Sequence, residues 1–368
     1  MSHDPWGHAP PPSYPPPGSA PPPGPPPPPG PAGPAGPVGP PRQGPPPAGP
    51  GAPWGPPVAR PGVVPLRPLT LGDLLGGAVQ TIQRNPRATI GLALVVSALF
   101  MLLPVLASVA VGLAGSSPGF DVGASEDPFA GAGGASYYGL LGVSTVFSAL
   151  ATVVIAGLIV RVVGAAVVGR PMRAGEAWRR TRGRLVALVG LSLLGGLVSV
   201  VLLAAPVALG VLAWAATDSV ALGVVLGILL GLAAVVATVW LWTRFLLLAA
   251  PALVLEELGV VASLRRAGAL SRGQFWRLLG IALLAGLIAG VASQVVAVPF
   301  SVLGAVLAFV LPPAWGLPGL LLASNVGSIL TGALVGPFTA GVTGLQYVDQ
   351  RFRKEGLDIT LLDETLRR

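Results

Sequence analysis

Cysteine is absent from all 368 residues, which excludes disulfides, thiolate nucleophiles and Cys-ligated metal or iron-sulfur sites. Histidine is almost absent, since the only two, His3 and His8, fall near the N-terminus. The rest of the chain therefore lacks the groups for Ser-His-Asp, Cys-His or His-ligated zinc chemistry. Charge is scarce too. Asp, Glu, Lys and Arg make up 10% of the residues against 52% hydrophobic ones, and the mean hydropathy is +0.76. A soluble domain could not cover its surface with so few charges. Lysine is reduced to Lys354, so the net charge of +8 rests on arginine.

What is present divides the chain in three. Residues 1–66 form a Pro/Gly-rich tail, with 29 of the 42 prolines before position 66, many in runs such as Pro25 to Pro29. This segment has little apolar surface to bury, so it is expected to be disordered and locally polyproline II. It has no basic start followed by an apolar run, so it does not read as a signal peptide. It reads first as a passive extension and otherwise as a docking arm for a cytoplasmic partner. Residues 67–350 form the transmembrane domain, and 351–368 a charged C-terminal tail.

Crossing a bilayer takes about 20 apolar residues per helix. Runs of that length are expected near 88–113, 139–160, 185–214, 220–243, 278–308 and 319–347. The fold class is thus an all-α integral membrane bundle of six helices. From Leu278 to Val348 there is no Asp, Glu, Lys or Arg, and two long spans or three short ones would fit. Pro312, Pro313, Gly316, Pro318 and Gly319 mark one turn there, with Trp315 suited to a headgroup region, and Pro299 falls inside the fifth span as a kink or a break. Charge settles the parity. With six spans all 22 basic residues fall on one side, while the opposite loops hold Asp121, Glu126, Asp127 and Asp218 and no basic residue. Basic loops stay on the cytoplasmic side, so both termini are expected there, in the cytoplasmic membrane.

An internal repeat runs through the domain. Thr181-Arg182-Gly183-Arg184-Leu185 aligns with Ser271-Arg272-Gly273-Gln274-Phe275 at an offset of 90, and Gln83-Arg84-Asn85-Pro86-Arg87 repeats the theme loosely. Each returning helix ends in an arginine, Arg161, Arg244 or Arg351. Three tandem hairpins, each led by a basic amphipathic segment, are expected. In the first such segment Leu71, Leu74, Leu75, Ala78, Val79 and Ile82 share one helical face, and Thr70 with Asp73 forms a capping box. The second carries Arg170, Arg173, Arg179, Arg180, Arg182 and Arg184 with Trp178. The third carries Arg265, Arg266, Arg272 and Arg277 with Phe275 and Trp276. Basic clusters with aromatics beside a membrane attract anionic headgroups at about 1 kcal/mol per residue. The same residues also serve simply to set topology, and both roles stand open.

No carboxylate falls inside a span, which argues against common ion-driven transport. The intramembrane polar candidates are Arg161, Arg244, Gln294 and Asn325, the last two placed by depth to face each other; interhelical packing accounts for them better than a substrate site. Gly223, Gly227, Gly231, Gly286 and Gly290 have helix-packing spacing and favour a compact bundle or a homo-oligomer. No dinucleotide fingerprint or phosphate-binding loop is present, and no catalytic residue, cofactor or metal site is assigned. The basic residues abut spans, which fits lipid rather than nucleic acid.

Pro65-Leu66-Arg67-Pro68-Leu69 with Gly72-Asp73-Leu74-Leu75, the stretch Leu264-Arg265-Arg266 through Arg272-Gly273-Gln274-Phe275-Trp276-Arg277, and Tyr347-Val348-Asp349-Gln350-Arg351 together resemble a family of actinobacterial multi-pass proteins. These are known as the glycerophosphoryl diester phosphodiesterase membrane domain. The resemblance spans roughly 63–360 and implies the membrane architecture alone, because the soluble barrel that in some relatives carries the catalytic His, Glu and Asp has no counterpart here. The expected function is non-enzymatic engagement of anionic lipid or a membrane-associated partner. A transporter or lipid flippase is the alternative, and an accessory module in glycerophosphodiester metabolism the third reading.

Overall fold

The computed structural model describes residues 62–115 and 131–357; the tail up to residue 61, the acidic residues of 116–130 and the stretch from 358 onward lie outside the described residues, whereas 62–66, expected in the disordered tail, are packed with Val63, Val64 and Leu66 buried. Every regular element among the described residues is helical. This follows from sequence and solvent together, since in hydrocarbon every backbone N–H and C=O must be paired within its own segment. The elements are α1 (Leu71–Arg84), α2 (Leu92–Gly115) entered through a wide turn at Arg87–Gly91, α3 (Gly131–Val167), α4 (Ala174–Thr181), α5 (Leu185–Thr217), α6 (Val220–Leu241), α7 (Ala249–Leu255), α8 (Val260–Ser271), α9 (Phe275–Val310) and α10 (Pro313–Glu355).

Six helical stretches are long and apolar enough to cross a membrane: Arg87–Ala114, Tyr138–Val167, Ala174–Thr217, Val220–Leu255, Phe275–Val310 and Trp315–Glu355. The chain is an integral, multi-pass membrane protein. The uncharged run from Leu278 resolves into two spans, and α9 continues through Pro299 without a break. Beyond the expected limits most spans extend at the basic end, because a helix leaving hydrocarbon is not obliged to stop at its first charge.

Consecutive spans pair as three antiparallel hairpins, α2 with α3, α5 with α6, and α9 with α10. Small residues allow the close approach. In the second hairpin a Cβ on Gly210 would lie 2.9 Å from the Gly223 carbonyl oxygen, so Gly223 and Gly227 are spent inside the hairpin. In the third, Gly304 lies under Leu320 and Gly327 under Phe300. Gly231, Gly286 and Gly290 meet nothing within 4 Å. The long helix α10 is the hub. It packs on α9, and also on hairpin one, where Gly332 meets Ser97 of α2 and Gly336 meets Ile155 of α3. Hairpin two joins the rest chiefly at its basic end, through α5 against α3, α7 and α8. Most of the remaining α5–α6 surface is exposed and apolar, including Leu197, Val201, Leu212, Leu229 and Val236, as a lipid-facing hairpin requires.

The repeat is visible in three dimensions. Residues 181–190 and 271–280 show the same sequence of buried, half-buried and exposed positions at all ten sites, from buried Thr181 and Ser271 to buried Leu188 and Leu278. In both, a short helix ends, an Arg-Gly pair turns the chain, and a span begins. The first hairpin has its counterpart in α1, whose Thr81 is also buried.

Candidate functional site

The described Arg and Lys residues gather at one end of the bundle, and the structure sorts them into two kinds. The sorting starts from α7. Its seven residues, Ala-Ala-Pro-Ala-Leu-Val-Leu, are too short to span and too apolar for a surface, so they plug the centre of the basic end, packed between α3, α5, α8 and α10. Leu253 and Val254 are fully buried within a cluster that includes Leu188, Leu278 and Tyr347.

Directly after this plug come Glu256 and Glu257, which tie the three hairpins together. The Glu256 side chain is 3% exposed and receives Nε and NH2 of Arg266 at 2.8–3.0 Å, the Tyr347 hydroxyl, and Arg351 at 3.6 Å. Glu257 takes the left-handed backbone conformation, φ 55°, which points its carboxylate elsewhere. It accepts from NH2 of buried Arg161 in hairpin one at 2.8 Å and lies 3.7 Å from Arg184 at the start of hairpin two. The hydrogen bond from Arg161 holds the Glu257 carboxyl below its ordinary value, against an opposing effect of burial. Burial disfavours the Arg266 charge, but hydrogen bonds to Glu256 and to Glu355, the latter at 2.5 Å, outweigh it and push its pKa up.

A second carboxylate, Asp349, lies within α10 and is fully buried. It accepts from Arg277 at the start of α9, from Nε of Arg353 at 3.0 Å and from the backbone N–H of Leu69 at 2.8 Å. Arg277 and Arg353 also donate to the Leu69 carbonyl, at 2.8 and 3.1 Å. Both peptide groups of Leu69 are thereby clamped, and the strap from Gly62 to Leu69 is held in the bundle with Val64, Leu66 and Leu69 buried. The strap leads into α1, where Thr70 and Asp73 form the expected capping box. The α1 helix sets its small face, Gly77 and Ala78, against Leu345 and Gly341 of α10.

Of the sequence-predicted basic residues, then, Arg161, Arg184, Arg266 and Arg277 are internal partners of acidic groups. Arg180 pairs with Glu176 within α4 at 3.0 Å. Arg244 donates to Ser271 Oγ at 3.1 Å, and Ser271 donates back to the Arg244 carbonyl at 2.8 Å. The other kind is Arg170, Arg173, Arg179, Arg182, Arg265 and Arg272, all exposed and without a carboxylate partner among the described residues. Trp178 and Trp276 stand beside them, 40% and 80% exposed. The intramembrane pair does not form. Gln294 is on the exposed flank of α9, whereas Asn325 is 3% exposed with its Nδ2 unpaired, on the α10 face that meets α2 and α3. Depth alone had placed them together; helical phase separates them. Sequence reasoning missed Glu256, Glu257, Asp349 and Arg84, although Glu256 and Glu257 are the only acids between Arg244 and Arg277. Among the described residues no cluster of acids could hold a metal ion.

No protein-family model, curated protein or solved structure matches this chain.

Proposed function

We propose that the protein is a non-enzymatic membrane protein that holds anionic lipid headgroups against its basic end. The observation that carries this reading is the division of the arginines. Four acidic side chains, Glu256, Glu257, Asp349 and Glu355, neutralise those needed to build the end. Arg170, Arg173, Arg179, Arg182, Arg265 and Arg272 are among those left over, exposed and without an ion pair among the described residues. A fold that needed arginine only for architecture would have no use for these six beyond topology. With Trp178 and Trp276 at headgroup depth, each contributes about 1 kcal/mol toward an anionic leaflet. By the positive-inside rule this end, and with it both termini, is cytoplasmic. The transporter reading is less favoured, because Arg161 and Arg244 are engaged internally and Gln294 and Asn325 lie on different surfaces.

The test is lipid retention by the purified full chain. Anionic lipid is expected to be enriched over the bulk membrane, and changing all six arginines to Gln is expected to remove the enrichment while the fold is kept. Unchanged enrichment in that variant overturns the proposal.

A further inference from the structure

One pocket at the basic end is bordered by two arginines. Arg84 ends α1, and Asn85 caps it and donates from Nδ2 to the Met172 carbonyl at 2.6 Å. This ties the turn before the first span to the loop that leaves α3 through Gly169, φ 74°. The strap closes a third side, its Val63 N–H bonded to the Ala166 carbonyl at 3.1 Å. Between them lies a pocket of about 120 Å³ lined by Val63, Thr81, Arg84, Asn85, Arg170 and Met172, among others. It has room for a group of a few heavy atoms and not for a whole lipid.

Arg84 and Arg170 are among the residues that line this pocket, and among the described residues no carboxylate does. Arg84 is held in place without being neutralised. Its NH1 reaches the Gly62 carbonyl at 3.4 Å, and the Gln80 amide, oriented by its hydrogen bonds, accepts from NH2 at 3.2 Å while donating to the Val63 carbonyl at 2.8 Å. Arg170 carries no ion pair among the described residues, and both arginines are exposed on the outer side. Two planar guanidinium-bearing residues beside a small, partly enclosed space suit a tetrahedral oxyanion.

We infer that Arg84 and Arg170 form a site for a terminal phosphate, a phosphomonoester carried by a lipid or free in solution. The inference rests on the anionic-lipid reading and sharpens it. A monoester presents three acceptor oxygens and a charge of about −1.5 to −2, whereas a diester has one free oxygen fewer and less charge to offer two guanidinium groups.

The experiment reconstitutes the full chain into phosphatidylcholine nanodiscs containing phosphatidic acid or phosphatidylglycerol, the amounts matched for charge. Retained lipid is counted by mass spectrometry. The parent is expected to prefer phosphatidic acid. Arg170→Gln, which removes no described bond, is expected to cut that preference about fivefold, and Arg84→Gln by a similar factor, at about 1 kcal/mol per arginine. Arg170→Lys is expected to restore part of it. Arg265→Gln with Arg272→Gln, neither of which lines the pocket, is expected to lower retention of both lipids equally. Competition by millimolar inorganic phosphate assigns the site to any phosphomonoester, and its absence, with the preference intact in the parent, assigns it to the lipid form. Equal retention of the two anionic lipids, or a preference untouched by Arg170→Gln, overturns this inference and leaves the anionic-lipid reading standing. Retention of neither overturns both.

Discussion

Replacing Asp349 with Ala is the sharpest test of how the basic end is built. The carboxylate is fully buried and serves Arg277, Arg353 and the Leu69 N–H at once. Removing one partner of a buried ion pair costs about 3–5 kcal/mol, because the remaining charge is left uncompensated. Here the side chains of Arg277 and Arg353 are 26% and 31% exposed, so water recovers part of that cost. The expected loss is therefore at the lower bound, about 3 kcal/mol, or roughly a hundredfold in the folded-to-unfolded ratio. Asp349→Asn keeps an acceptor for Leu69 and loses only the charge, so about half that cost is expected. Equilibrium unfolding in mixed micelles, followed by tryptophan fluorescence, measures the total, and amide exchange at Leu69 reports the strap itself. A local effect is specific to this argument. Protection of Leu69 should fall in Asp349→Ala even under conditions where the spans remain folded. A loss below about 0.5 kcal/mol with Leu69 still protected would refute the reasoning, since surface changes of no structural consequence fall in that range.

Other consequences are as direct. The Glu257 carboxyl is depressed below its ordinary value of 4.5 in the folded protein, so its contribution to stability is complete above that value. It is lost as pH falls through the lower, folded-state value. Glu257→Gln should therefore flatten the acid limb of the stability profile. Gly223→Leu places a side chain where the Gly210 carbonyl oxygen lies 2.7 Å from a Cβ, and it should spread hairpin two at a cost of about 1–3 kcal/mol. Because the chain has no cysteine of its own, loss of crosslinking between cysteines introduced at Val211 and Val224 reads this out without background. Asn325→Leu removes a buried amide whose Nδ2 has no partner, so stability should stay within about 1 kcal/mol of the parent or rise; a clear loss would show that Asn325 is satisfied by something bound.

The topology could be read from the sequence because it is set by terms that act locally. Long uncharged runs must be helical in hydrocarbon, and the arginines record which ends remain outside it. The hairpin repeat was legible through a few polar positions, Thr181-Arg182-Gly183 against Ser271-Arg272-Gly273, whose burial patterns coincide. What could not be read was anything requiring a rotational phase or a distant partner. Arg266 and Arg265 are neighbours in sequence, yet one is locked to Glu256 and Glu355 and the other is exposed. Arg161 meets Glu257 96 residues away, and nothing local to either predicts it. The seven apolar residues of α7 fell within a loop by length, and only the packing of four helices around them explains their burial. Arg84 had a weak signal, a basic last turn followed by Asn-Pro, but its pocket needed the loop after α3.

The bond between Leu69 and Asp349 joins positions 280 residues apart, and this gives the protein an order in time. A ribosome delivers the strap and α1 first and Asp349 with the last helix, after an uncharged stretch of 71 residues that must already have entered the membrane. Until then Arg277 has no Asp349 to answer it, and the strap that leads in from the proline-rich tail lacks the carboxylate that fastens its Leu69 end. An incomplete or misinserted copy would thus display a loose strap and an unanswered arginine, which makes closure of this clamp a physical mark that insertion has finished.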